Sequence, residues 1–593
     1  MAIVVSNIKA VEAPELPAPD LVFLNRLLDI VRQHPHNRML LFAWVFCAHH
    51  LGLSSAELGP HLGCTDRNVR YILAEVRSSQ QGEGKTGRPR RLELGEFESP
   101  CPPRDASPAV TIGLTRWGGL WLLLPWILSS NLLPYCYWLC SASTCGTPVQ
   151  FVLTFLALAV CGLGRIWALQ DVQDRGFALF TGRLTPLRAC QLYTWLKQVG
   201  AGAVALFYQA TKLEEWRLVR HLPPVLSNDE HVVGHQGGPE MAQGKVSKCG
   251  RVMRAHHLFM TFHLVARRFL GLQVTDTRHK LSHVAAPHLK EMVAAYQQVG
   301  GDESVFEILD CGSYDKDTHR ELLRLHFESG SDYLARIRRT AKNVEQWDRG
   351  LDWGEYDLEP YVRGSEWRLP RHRQHRLCLA RTTTQITGLA QPLPTLLIID
   401  RDKLSDPDAK TKYAAAFVAT ADWPAWVQVD TYPWRQDHEL AYRDGIHALG
   451  LDVKPKGYQK TQPDLPLDDS QQTVEFVSHR IELCAWLRAL AHNRVRDLLD
   501  HLPDPAPSWT VLTAIRKLIH RTALLQVQGD CFWVVFDPFP GQQVLSAYIA
   551  WVNEANFEIP WLGNLKLRLA VADHPVGASL PNTGLRKLLF RPQ

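Results

Sequence analysis

Tyr432-Pro-Trp-Arg-Gln-Asp-His-Glu-Leu-Ala-Tyr-Arg-Asp-Gly445 carries the spacing Tyr-x-x-Arg-x-x-x-Glu, and the fold assigned to the chain turns on how it is read. From Trp434 onward it reads as a helix. Four residues make about one turn, so Arg435 and Glu439 project from one face, with Arg443 one turn further on. A carboxylate held beside a guanidinium stays ionised and oriented, which suits a metal ligand placed next to a phosphate. Alone the pair says little, because most Arg/Glu pairs at this spacing are solvated surface pairs.

Two upstream segments change that balance. Pro224-Val-Leu-Ser-Asn-Asp-Glu-His-Val-Val233 reads as an extended run with Asp229 in its middle. Ser304-Val-Phe-Glu-Ile-Leu-Asp-Cys-Gly-Ser-Tyr314 reads as a short apolar strand ending at Asp310, where Gly312 turns the chain. A helix is expected from about Lys316 to Phe327, then a strand from Asp332 to Ile337. The order is therefore a strand with Asp, a long interval, a strand ending in Asp, and later a helix with Glu.

In this order the residues resemble the DDE transposases of bacterial insertion sequences, in the class with the Tyr-x-x-Arg-x-x-x-Glu signature. The resemblance rests on Asp229, Asp310 and Glu439, with Tyr432 and Arg435. Asp174-Arg-Gly-Phe-Ala-Leu-Phe180 and Phe557-Glu-Ile-Pro-Trp-Leu-Gly-Asn564 are also similar to segments of such enzymes, and the likeness runs over roughly residues 20 to 570. It implies an α/β catalytic domain with a ribonuclease H-like, five-stranded mixed sheet. It further implies that Asp229, Asp310 and Glu439 are catalytic metal ligands and that Tyr432, Arg435 and Arg443 position DNA phosphate. The implied partner is double-stranded DNA, both element ends and target, bound by a homodimer in the bacterial cytoplasm and not by a membrane protein. One departure stands out: Ile446 occupies a position where the family often has Lys, with Arg443 and His447 as possible substitutes.

Three carboxylates brought together repel one another unless cations lie between them, and hard oxygen donors favour Mg²⁺ or Mn²⁺. Two such ions would activate a water or a DNA 3′-hydroxyl and stabilise the leaving oxygen, with Asp229 bridging both and Asp310 and Glu439 each completing one. The expected chemistry is strand cleavage followed by strand transfer. Two alternatives stay open: a DNA-binding relative whose chemistry is lost, and a metal-dependent nuclease without strand transfer.

Bulk properties agree with a globular, multidomain chain. It has 593 residues, of which 46% are apolar. A net charge of +5 is small for this length, so nucleic-acid binding must come from local patches. The 13 cysteines are scattered and lack paired Cys-x-x-Cys spacing, which argues against a disulfide framework or structural zinc and fits a reducing cytoplasm. The N-terminus does not read as a secretory signal.

In chain order, residues 1–20 read as a loose tail and 21–80 as a helical domain with a helix-turn-helix. There Ser54 or Ser55 caps one helix, and Thr65 or Asp66 caps the next. That second helix would present Arg67, Asn68, Arg70 and Arg77 to a major groove while Val69, Ile72 and Leu73 pack inward; an ordinary helical hairpin is the plainer alternative. Residues 81–110 form a basic and Pro-rich linker, with Arg88, Arg90 and Arg91 suited to phosphate or minor-groove contact. Residues 111–220 read as an apolar helical domain. Its segment 117–164 has no charged residue, so a membrane hairpin competes with buried core helices.

The catalytic domain is placed at 221–455, with strands two and three between Leu258 and Thr275 and a crossover helix at His288–Val299. An insertion at about 340–424 begins with a basic run, in which Arg368, Arg371, Arg373 and Arg376 suit a DNA backbone; a solvated strand surface is the alternative. Residues 456–593 read as a helical and small α/β region.

Overall fold

The computed structural model describes residues 54–62, 69–70, 109–140, 146–235, 243–246, 251–276, 281–310, 316–350, 359–360, 377–400, 403, 412–421, 425–453 and 478–576. It is a mixed α/β protein in two compact units. One contains the described residues of Met1–Glu214, Arg443–Tyr458 and His479–Gln593, and the other those of Glu215–Tyr442 and Gln459–Ser478. The stretches expected as separate regions, 111–220 and 456–593, thus contribute for the most part to one unit.

In the first unit, Ser54 caps the helix Ser55–Leu62 reciprocally. Its hydroxyl accepts from the Glu57 N–H, and its own N–H donates to the Glu57 carboxylate. Leu58, Leu62 and Val69 are buried while Arg70 is exposed. Strand β1 (Val110–Thr115) follows, where the apolar helical region was expected to begin. The uncharged stretch after it folds as short turns of helix, Gly118–Leu123, Leu124–Ser129, Leu132–Cys136 and Tyr137–Leu139, then the longer helix Pro148–Val160. Most of these side chains are buried, with Trp121 against Phe180 and Phe532. Burial inside this unit accounts for the missing charges. Among the described residues no single helix is long and apolar enough to cross a membrane; Gly118–Ser129 and Leu132–Leu139 meet that test only as a pair bent by 85°.

The second unit holds a ten-stranded sheet. Its strands are β2 (Val225–His235), β3 (Gln243–Val246), β4 (Arg251–His263), β5 (Arg268–Asp276), β6 (Phe306–Leu309), β7 (Asp332–Arg336), β8 (Glu359–Pro360), β9 (Leu377–Thr384), β10 (Leu393–Asp400) and β11 (Tyr413–Ala419). At its centre the order is β5-β4-β2-β6-β7. β4 is antiparallel to β5 and β2, whereas β2, β6 and β7 are mutually parallel. Parallel neighbours need crossovers, and the helices Leu281–Gln298 and Lys316–Ser329 supply them.

The sheet is larger than the five strands expected. β11 pairs with β7, and β10, β9 and β8 continue outward, so the insertion extends the same sheet. Its helix Ala341–Gly350 is anchored by Trp347, whose indole N–H donates to Thr384 at 2.8 Å. β3 pairs antiparallel with the start of β4.

The chain then returns to the first unit. The helix His479–Asp500 is buried along nearly its whole length. Its arginines are committed internally: Arg488 donates to the carbonyls of Val453 and Gly164, and Arg496 to Asp500 and the Pro507 carbonyl. Strands β12 (Ala523–Gln528), β13 (Cys531–Phe536), β14 (Glu558–Ile559) and β15 (Leu565–Val571) join β1 in a second sheet, ordered β1-β12-β13-β15-β14.

The two outlying segments that carried part of the resemblance meet here. Asp174 caps the helix Arg175–Phe180 and accepts from Thr115, while the Trp561 indole donates to the Leu179 carbonyl at 3.0 Å. Gly176 is required at this point, because a Cβ there would lie 2.5 Å from the Thr115 Cβ.

Candidate active site

Strand register sets the site. β2 and β6 run parallel with Leu226 opposite Glu307 and Ser227 opposite Ile308. Alternation then places Ser227 and Asp229 on one face, with Asp310 immediately beyond the end of β6. On the same face, the 3₁₀ turn Tyr432–Trp434 leads into the helix Arg435–Asp444.

Two buried side chains fasten that helix to β2. His438 Nδ1 lies 3.0 Å from the Ser227 hydroxyl, and its ring stacks on Phe262. The Tyr442 hydroxyl donates to the carbonyls of Asp229 (3.1 Å) and Leu258 (3.0 Å). Such bonds fix the helix along the strand as well as against it. At the rim, Arg267, in a left-handed turn with φ 53°, donates to Asp437 at 3.1 Å.

The three acidic residues singled out from the sequence come together, and they meet on a guanidinium. Arg435 Nη2 lies 3.2 Å from the Asp229 carboxylate and 3.6 Å from that of Asp310, while its Nη1 donates to Glu439. The Arg435 side chain is only 12% exposed, whereas Glu439 is 55% exposed, so the pair is not the solvated surface pair that spacing alone suggests.

Burial pushes the Asp229 carboxyl up to about 6. Arg435 and the Glu230 N–H oppose that shift, while the negative charges of Asp310 and Glu439 add to it. Burial works against the charge on Arg435, but Asp229, Asp310, Tyr432 and Glu439 outweigh it and hold the guanidinium firmly protonated.

Tyr432 is buried, with its ring 4.7 Å from that of Phe417 on β11. Burial pushes its hydroxyl up to about 12, so it remains a hydrogen-bond donor at neutral pH. Arg336, at the end of β7 and opposite Phe417 in register, hydrogen-bonds the Tyr432 side chain. The sequence reading passed over this arginine. Its signal was its position level with Asp310 on the neighbouring parallel strand, one residue past the last pair, Leu309 and Ala335.

Arg443 follows in the same helix and is exposed, but it falls in the other unit. Of the residues expected to bind DNA, only Arg70 is described, exposed on a helical segment. Arg67, Asn68, Arg77, Arg88, Arg90, Arg91, Arg368, Arg371, Arg373 and Arg376 lie outside the described residues.

On the opposite face of the sheet, Glu307 is completely buried beside the Asn228 amide, and burial pushes its carboxyl well above the usual range. Thr261 in turn donates to Asn228. This polar layer lies directly behind Asp229.

Three carboxylates are the hard oxygen donors that hold Mg²⁺ or Mn²⁺, and their mutual repulsion at Asp229 is of the kind a cation relieves, so the donor set fits. Among the described residues, no three His, Cys, Asp or Glu side chains converge by themselves on an ion-sized point. Asp229, Asp310 and Glu439 instead turn their oxygens to Arg435.

No protein-family model matches the chain, and no curated protein sequence matches it. Among solved structures it is similar to a piggyBac transposase synaptic complex with hairpin DNA, at 10% identity and a TM-score of 0.31, over 70% of this chain and 82% of that one.

Proposed function

We propose that the chain is a metal-dependent DNA phosphoryl transferase with a ribonuclease H-like core, acting as a transposase that cuts and joins the ends of a DNA element. The observation that carries this reading is the meeting of Asp229, Asp310 and Glu439, from a strand, a strand end and a distant helix, on one face of a mixed sheet. The strand order β5-β4-β2-β6-β7, with β4 antiparallel to its neighbours, is the order such a core needs.

Asp229, Asp310 and Glu439 would hold Mg²⁺ or Mn²⁺, which when bound supplies a more acidic attacking water or 3′-hydroxyl and neutralises charge at the phosphate. The remaining work falls to the protein's own groups. Tyr432, Arg336 and Arg435 offer donors and positive charge to phosphate oxygens beside the carboxylates. His438 and Tyr442 keep Glu439 in register with Asp229.

The helix containing Glu439 continues into a π turn at Gly445–Leu449. The capped helix Ser55–Leu62, with Arg70 exposed nearby, is compatible with a DNA-binding helix-turn-helix.

The test is Mg²⁺- or Mn²⁺-dependent cleavage of the DNA flanking the gene, by the parent and by Asp229→Asn, Asp310→Asn and Glu439→Gln. Cleavage lost in all three, with DNA binding kept, supports the reading. Binding without cleavage by the parent would leave a DNA-binding relative whose chemistry is gone. Joining of a pre-cut 3′ end to a plasmid separates a transposase from a nuclease.

A further inference from the structure

One guanidinium serves three carboxylates at the proposed catalytic centre, and it lies where a divalent cation would be needed. We infer that Arg435 is the resident counter-cation of the carboxylates in the free chain, and that a DNA phosphate draws it away, so that the cation site opens only on substrate. The inference rests on the functional reading above.

Three observations support it. First, Nη1 and Nη2 of Arg435 are bound to carboxylates, whereas its Nε is buried and, among the described residues, has no hydrogen-bond partner. A guanidinium is a fork that pairs best with two oxygens of one anion, and a phosphate approaching the Nε edge would engage the donor that is idle here. Second, the backbone at Arg435 is held from both sides. Tyr432 is packed on Phe417, and His438 and Tyr442 are bound to β2 and β4. Release of the carboxylates is therefore a side-chain rotation. Third, a positive charge and a divalent cation repel at this distance, and both need the same oxygens, so each excludes the other.

The carboxylates then pass from guanidinium to metal as the guanidinium passes from carboxylate to phosphate. By linkage, DNA must tighten metal binding by the same factor that metal tightens DNA binding at this site. A chain built this way does not carry a loaded metal site before DNA arrives.

The experiment is a Mn²⁺ titration of the full chain, with free Mn²⁺ followed by electron paramagnetic resonance, for the parent and Arg435→Gln, without DNA and with a duplex. Without DNA, Arg435→Gln is expected to bind Mn²⁺ on the order of tenfold more tightly than the parent. Adding duplex should tighten binding to the parent by a similar factor, beyond what the duplex binds alone, and change the variant little. Equal Mn²⁺ affinity of parent and variant without DNA would overturn the inference and leave the functional reading standing. Absence of Mn²⁺ binding by both proteins, with and without duplex, would overturn the two together. Should Arg435→Gln fail to fold, the parent alone decides: no tightening by duplex overturns the inference.

Discussion

Glu307→Gln is expected to stabilise the protein at neutral pH and not at acid pH. Glu307 sits in the middle strand of the parallel trio, fully buried beside the Asn228 amide, with its carboxyl pushed well above its ordinary value of 4.5 by burial. An acid whose folded value is raised takes up a proton on folding. Its contribution is therefore fully favourable below the unfolded value and is lost as pH rises toward the folded one. The loss is about 1.4 kcal/mol for each pH unit between the unfolded and the folded value.

Gln has the same shape and no proton to take up. Its oxygen can accept from Asn228, but its amide hydrogens lack obvious partners, a penalty of about 1 to 2 kcal/mol that does not vary with pH. The balance should therefore move toward the variant as pH rises above the unfolded value, and vanish or reverse below about pH 5. Urea unfolding of parent and variant in parallel between about pH 5 and pH 7 gives the difference directly. A difference that stays constant across that range would mean that Glu307 is ionised to the same extent in both states, contrary to a raised folded value.

Tyr442→Phe should remove a hydroxyl shared by two backbone carbonyls, costing about 1 to 2 kcal/mol in a urea titration and slowing DNA cleavage while leaving DNA binding near the parent's. Gly176→Ala places a Cβ against Thr115 and should cost about 1 to 3 kcal/mol, visible as a lower melting temperature of the unit that contains β1. Arg267→Ala breaks a half-exposed pair with Asp437 and should change stability by less than about 1 kcal/mol, with the remaining effect fading at high salt.

Much of the second unit could be read in the sequence because its strands carry local signals. The runs around Asp229 and Asp310 are β-rich and end in turn residues, and the observed strands β2, β6 and β7 lie within a residue or two of their expected bounds. What could not be read is pairing over long distances. β1 joins β12 across some four hundred residues, and no local pattern in Val110–Thr115 announces that partner. The insertion joins the existing sheet because the free edge of β7 accepts β11, a choice made by tertiary contact.

Arg336 was missed for a related reason. In sequence it belongs to a short basic run, Arg336-Ile-Arg-Arg339, and only the register of β7 with β6 and β11 places it level with Asp310 and beside Tyr432. In the helix His479–Asp500, by contrast, Arg488 and Arg496 are spent on backbone carbonyls.

If Asp229, Asp310 and Glu439 touch a catalytic metal ion on DNA, replacing one of these carboxylates by a thiolate should change which ion supports cleavage. A thiolate binds Mg²⁺ poorly and softer ions well. Asp310→Cys should bind DNA like the parent, fail to cleave it with Mg²⁺, and regain cleavage with Mn²⁺ or Cd²⁺. Cleavage with Mg²⁺ equal to the parent's, or no rescue by any softer ion in a variant that folds and binds DNA, would contradict a metal-ligand role for this carboxylate.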